Sequence, residues 1–97
     1  MNENNISKFT ITGDSGFRMR FANGFTASVQ FGPYCNCNEH TAEVACISNK
    51  RNLLIYLSDF NKDIEDTVIG YLNTNEVLDF MNWVANLPLD YVDKHML

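Results

Sequence analysis

Basic residues are scarce in this chain, with seven Lys and Arg against 12 Asp and Glu and a net charge of -5 over 97 residues. Counterion release on nucleic acid needs a basic face, so direct nucleic-acid binding is not expected. Long hydrophobic runs are missing as well. No stretch approaches the ~18 consecutive apolar residues of a membrane span, and no membrane partner is expected. Met1 to Ser7 is polar and rich in Asn, with neither a basic n-region nor an apolar h-region, so it does not read as a secretory signal. Cysteines number three, an odd count that argues against a closed disulfide framework and fits a reducing compartment. These absences lead to the expectation of a cytoplasmic protein.

Catalytic furniture is thin too. The only near-neutral bases are His40 and His95. Gly13 to Gly16 is too short for a phosphate-cradling Walker loop and precedes a strand, not a helix. No enzyme activity and no cofactor are expected.

What is present suffices for a core. An apolar fraction of 45% and an aromatic fraction of 12% set intrinsic disorder aside except at the ends. The length allows one domain, residues 1–97, with an ordered core over about 6–88 and a mixed tail at 89–97.

Strand periodicity dominates. Ile6 to Thr12 alternates and ends in the turn residues Gly13-Asp14-Ser15-Gly16. Phe17, Met19 and Phe21 share one face of the next strand, with Arg18 and Arg20 on the other. Phe25, Ala27, Val29 and Phe31 share a face of the strand after it, against Thr26, Ser28 and Gln30. Asn23-Gly24 between them signals a hairpin. A two-residue loop would throw the two apolar stripes onto opposite faces of the sheet. A three-residue loop, Ala22-Asn23-Gly24, pairs Phe21 with Phe25, Met19 with Ala27 and Phe17 with Val29. The pattern therefore predicts a type I turn closed by a G1 bulge, with Gly24 left-handed.

Thr41 to Ser48 reads as a further strand. Leu53 to Phe60 is apolar on both faces and reads as a central strand, and Val68 to Leu72 as the last one. A helix follows, with Asn73 as cap and Glu76 at capping-box spacing, stopped by Pro88. Projected at 100° per residue, Val77, Leu78, Phe80, Met81, Val84, Ala85 and Leu87 fall in one half; Glu76, Asp79, Asn82 and Asn86 fall in the other, with Trp83 at the boundary. The predicted fold is α+β: an antiparallel β-sheet of about five to six strands packed on one C-terminal amphipathic helix.

Three groups of residues are candidate sites. Cys35, Cys37, His40 and Cys46 place four N or S donors within twelve residues, as a tetrahedral zinc site would need. Cys-x-Cys is not the usual knuckle spacing, however, and a mid-strand Cys46 is more often a small buried hydrophobe. A Cys35 or Cys37 nucleophile with His40 as base would also need an orienting carboxylate such as Glu39 or Glu43. The second group is the sheet face carrying Arg18, Arg20 and Gln30. One helix can cover only one face, so this one is left to water, to a second copy or, with Tyr34 and Asn36, to a nucleotide-like ligand. The third is the acidic set Asp59, Asp63, Glu65 and Asp66, with Glu76 and Asp79 as possible neighbours, which suits a basic partner. Trp83 and Tyr91 can anchor a partner or pack under the tail.

The run Gly16 to Gly24 (GFRMRFANG), then Ser28-Val29-Gln30-Phe31-Gly32, Tyr34-Cys35, Ala42-Glu43-Val44, Gly70-Tyr71 and Glu76-Val77-Leu78, resembles a group of small proteins carried by phages and other mobile elements. The resemblance spans roughly residues 16–87. It implies an accessory protein acting in the host cytoplasm by stoichiometric protein binding, for instance inhibiting a defence system such as CRISPR-Cas. The expected partner is a host protein, itself of the kind that binds nucleic acid. A nucleotide-sequestering oligomer and a zinc-stabilised interaction domain are the alternatives, and a homodimer through the uncovered sheet face is a further expectation.

Overall fold

The computed structural model describes residues 8–11, 15–31, 37–38 and 40–92. The chain lays down strands β1 (Lys8–Ile11), β2 (Gly16–Arg20), β3 (Phe25–Gln30), β4 (Ala42–Ser48), β5 (Leu53–Leu54) and β6 (Val68–Leu72), followed by helix α1 (Thr74–Ala85). Every strand pair is antiparallel. The order across the sheet is β1-β2-β3-β4, and the far edge of β4 is shared between β5 and β6.

The β2–β3 hairpin has the register that the apolar stripes require. Phe17 faces Val29 and Met19 faces Ala27. The Phe21 N–H donates to the Phe25 carbonyl at 2.8 Å, and the Gly24 N–H to the Phe21 carbonyl at 3.1 Å. Gly24 has φ 88°, as a bulged three-residue turn demands. Gly16 is fixed by a different constraint, because a Cβ there would run into the carbonyl oxygen of Val29 on the paired strand.

Alternation along β4 is complete, with Ala42, Val44, Cys46 and Ser48 buried and the residues between them half-buried. Beside them Phe25, Ala27 and Val29 complete the sheet half of the core. Phe80, Val84 and Leu87 of the helical segment close it from above. Helix α1 begins as its sequence dictates. Asn73 accepts from the Glu76 N–H at 2.9 Å, and Glu76 accepts from the Asn73 N–H at 2.9 Å.

One expectation needs correction. Leu53 to Phe60 is not a central strand. Only Leu53–Leu54 pairs, opposite Ser48 and Ile47, because β6 takes the same edge of β4 from Ala45 to Ala42. Its two-sided apolar pattern has another cause: Ile55 and Leu57 enter the core while Leu54 and Tyr56 stay exposed. The tail after Pro88, for which the sequence left fraying and docking both open, docks through Tyr91 and Val92, both buried. Tyr91 meets Trp83 edge-on at 6.1 Å and Phe25 at 6.1 Å, so Trp83 packs under the tail. The first strand is described only over Lys8–Ile11, and the remainder of its expected span lies outside the described residues.

The turn of the β2–β3 hairpin and the end of the helix are joined. The Asn23 Nδ2 donates to the carbonyls of Val84 at 2.8 Å and Leu87 at 3.0 Å, while its Oδ1 accepts from the Phe25 N–H at 3.1 Å. One side chain therefore satisfies a carbonyl in the last turn of the helix and another just beyond its C-cap, and shapes its own turn.

Candidate functional site

The acidic residues sit on the excursion between β5 and β6. Asp59, Asp63, Glu65 and Asp66 are all exposed. This segment is held by local bonds: the Phe60 and Asn61 N–H groups donate to the Leu57 carbonyl at 3.0 and 2.9 Å, and the Leu57 N–H donates to the Asp66 carbonyl at 2.9 Å. Tyr91 Oη donates to Asp59 Oδ2 at 2.8 Å, which ties the excursion to the tail. Burial, followed by the hydrogen bond and the charge of Asp59, pushes the Tyr91 hydroxyl well above its ordinary pKa.

Asp63 has company from the helix. A cleft of about 480 Å³ is lined by Asp63, Glu76 and Asp79, together with Lys62, Tyr71 and Phe60. The side chains of Glu76 and Asp79 lie on the flank of α1 that turns toward β6, which is why residues distant in sequence meet here. Glu65 and Asp66 do not line the cleft. Tyr71 at the rim is 61% exposed and carries a left-handed φ of 60°, at the register shift between β4 and β6. Nothing in the local sequence marks that conformation, since tyrosine normally avoids it.

The sheet face away from the helix is less open than one uncovered face would be. Arg18 is exposed and Arg20 half-buried, opposite Ser28 and Thr26 respectively. Ser28 and Thr26 are themselves buried, on a central strand between Arg18 and Arg20 on one neighbour and Ala45 and Ile47 on the other. Thr26 Oγ1 donates to Asn49 Oδ1 at 2.7 Å, and Gln30 Nε2 donates to Ser28 Oγ at 3.1 Å. Arg18, Arg20 and Gln30 thus share one face. Tyr34 and Asn36, the other members of the ligand set, lie outside the described residues.

Among the described cysteine and histidine residues, Cys37 and His40 line one opening and Cys46 stands apart from them in the core. Cys46 is a free thiol, fully buried on the helix side of β4, and burial raises its pKa far beyond the ordinary thiol value. Cys37 is disulfide-bonded, contrary to the expectation of reduced thiols, so its sulfur is neither a zinc thiolate nor a nucleophile. His40 is exposed in a turn built around Asn38, whose Oδ1 accepts the His40 N–H at 2.9 Å. Cys35 and Glu39 lie outside the described residues. Among the described residues no group of three or more His, Cys, Asp or Glu side chains could hold a metal ion.

A wider opening of about 940 Å³ lies between the helix and the β2 side of the sheet. Phe17, Phe31, Val29, Leu72 and Val77 form its walls, with Thr74 and His40 among its polar lining. No carboxylate, lysine or arginine lines it among the described residues. That makes it a poor receptor for a nucleotide phosphate.

Fold and surface together define an α+β domain with an antiparallel sheet and one covering helix. No helix among the described residues is long and apolar enough to cross a membrane. No family model, curated protein or solved structure matches the chain.

Proposed function

We propose that this chain is a non-catalytic accessory protein of a phage or other mobile element that acts by stoichiometric binding to a host protein. The observation that carries the reading is the acidic cleft, where Asp63, Glu76 and Asp79 converge beside the exposed ring of Tyr71. Three carboxylates around a shallow opening suit the basic side chains of a partner, and an aromatic rim adds apolar contact and a cation–π face. A host protein with a basic nucleic-acid groove has this chemistry. A component of a defence system such as CRISPR-Cas is the candidate of greatest interest. The non-catalytic part of the reading is supported by the disulfide at Cys37 and the full burial of Cys46, which leave neither thiol available as a nucleophile beside His40.

The test is affinity capture from a bacterial host lysate at two ionic strengths, with wild type and an Asp63→Lys, Asp79→Lys variant that reverses two carboxylates of the cleft. The expected result is a salt-sensitive host protein retained by wild type and lost by the variant. Equal retention of the same protein by both would refute the electrostatic contact.

A further inference from the structure

We infer that the chain forms a two-fold homodimer through the helix side of the molecule, each α1 filling an apolar bay over β1 and β2 of the second copy. A helix is about 10 Å wide and strands are spaced at about 4.8 Å, so one helix covers two to three strands. Helix α1 packs over β3, β4 and β6. The helix-side face of β1 and β2 extends beyond it, and that face is apolar. Phe9 pairs with Met19, and Phe17 with Val29, on the core side of the sheet. Yet Phe9 is 76% exposed, Phe31 is exposed, and Met19 is only half-buried.

The flank of α1 that borders this floor is apolar too. Taking Phe80, Val84 and Leu87 as the direction of the core, Val77, Met81, Ala85 and Leu78 follow one another up one side of the helix. Glu76, Asp79 and Trp83 occupy the other side. Leu78 is 55% exposed. Apart from the exposed Thr74 in the first turn, this arc of about half the helix circumference is apolar, wider than one contact with a sheet needs. It provides for two contacts, one with the sheet and one with a neighbour.

Three features commit the neighbour to a second copy. A two-fold interface must be self-complementary, and this surface contains both the bay and, in Leu78, an apolar side chain that can enter one. The helix layer is one helix short over the sheet, and a second α1 is a helix with a spare apolar flank of the required kind. Charge gives the third. Each copy carries a net charge of -5, but the acidic cleft lies on the opposite flank of α1. Two copies can therefore meet bay to bay without apposing their carboxylates, whereas a basic partner would find nothing to pair with there.

Sedimentation equilibrium on the full chain tests this. Wild type at about 100 µM is expected to sediment at twice the 11.1 kDa of one chain. Leu78→Glu and Met19→Glu are each expected to weaken association at least about tenfold. Both positions are at least partly exposed, and a cooperative thermal transition would show that each variant remains folded. Leu54→Glu, on the far side of the sheet, is expected to leave the dimer unchanged. A monomeric wild type would overturn the inference, as would a dimer broken by Leu54→Glu but not by Leu78→Glu or Met19→Glu. Charge reversal of the acidic residues leaves this dimer intact, so it stands or falls apart from the proposed partner contact.

Discussion

Asn23 offers the sharpest test of how this fold is held together. It sits in a hairpin turn, yet its amide nitrogen serves the Val84 and Leu87 carbonyls at the far end of the chain. Asn23→Ala removes both of those bonds and the Oδ1 contact to the Phe25 N–H. At about 0.5–1.5 kcal/mol net per bond, with partial rehydration of the freed carbonyls, the cost is about 1–3 kcal/mol. Asn23→Asp separates the contributions. The carboxylate keeps an acceptor for Phe25 but loses both donors, and it faces the negative end of the helix dipole, which adds about 0.3–1 kcal/mol. Its folded-state pKa would be raised, so the variant gains stability as pH falls through that value and the protonated acid recovers one donor. Urea unfolding followed by circular dichroism measures both effects. Each kcal/mol is worth about 4–8 °C in Tm for a domain of this size. Variants within about 0.5 kcal/mol of wild type, or an Asp variant without the acid-side recovery, would show that the turn-to-helix bonds are not structural.

Further expectations follow the same logic. Gly24→Ala must place a Cβ at φ 88° and is expected to lose about 1–2 kcal/mol by urea unfolding. Phe80→Ala, at a fully buried site in edge contact with Phe60 at 5.3 Å, is expected to cost about 3–5 kcal/mol in the same assay. Cys46 has a folded-state pKa raised above the ordinary 9.0, so its contribution to stability is intact below pH 9.0 and declines above it as the unfolded thiol ionises. Wild type should lose up to about 1.4 kcal/mol per pH unit there, a slope missing from Cys46→Ala, with urea titrations at several pH values as the check. Native Cys46 should also resist thiol reagents until the protein unfolds, and rapid labelling of the folded state would contradict its burial.

The parts of the fold that were legible are those fixed by local chemistry or strict periodicity. A period of two places Phe17, Met19, Phe25, Ala27 and Val29 on one face, and a bulge at Gly24 is the way to bring both strands into agreement. The Asn73 and Glu76 side chains are three residues apart and form their capping box without help from the rest of the chain. The fate of Leu53 to Phe60 was not legible, because an apolar run on both faces suits a central strand and an entry into the core under a loop equally well. Competition with β6 for one edge of β4 decided it.

For the sites the division is similar. Sequence placed Asp63 among acidic loop residues and raised Glu76 and Asp79 as neighbours, but only the packing of α1 beside β6 brings those three to one cleft and leaves Glu65 and Asp66 outside it. Tyr71 gave no signal, since its left-handed backbone is imposed by a register shift between two strands distant in sequence. The zinc-like cluster shows the converse. Cys37, His40 and Cys46 are close in sequence, but alternation along β4 turns Cys46 into the core while His40 stays in an exposed turn.

By itself, then, the sequence determined the alternating strands, the bulged hairpin and the ends of the helix, because each depends on residues within a few positions of one another. Tertiary structure decided which edge each strand could claim, which flank of α1 meets the acidic loop, and where one helix falls short of the sheet it covers. Those outcomes depend on the widths and positions of elements far apart in the chain, and no local pattern encodes them.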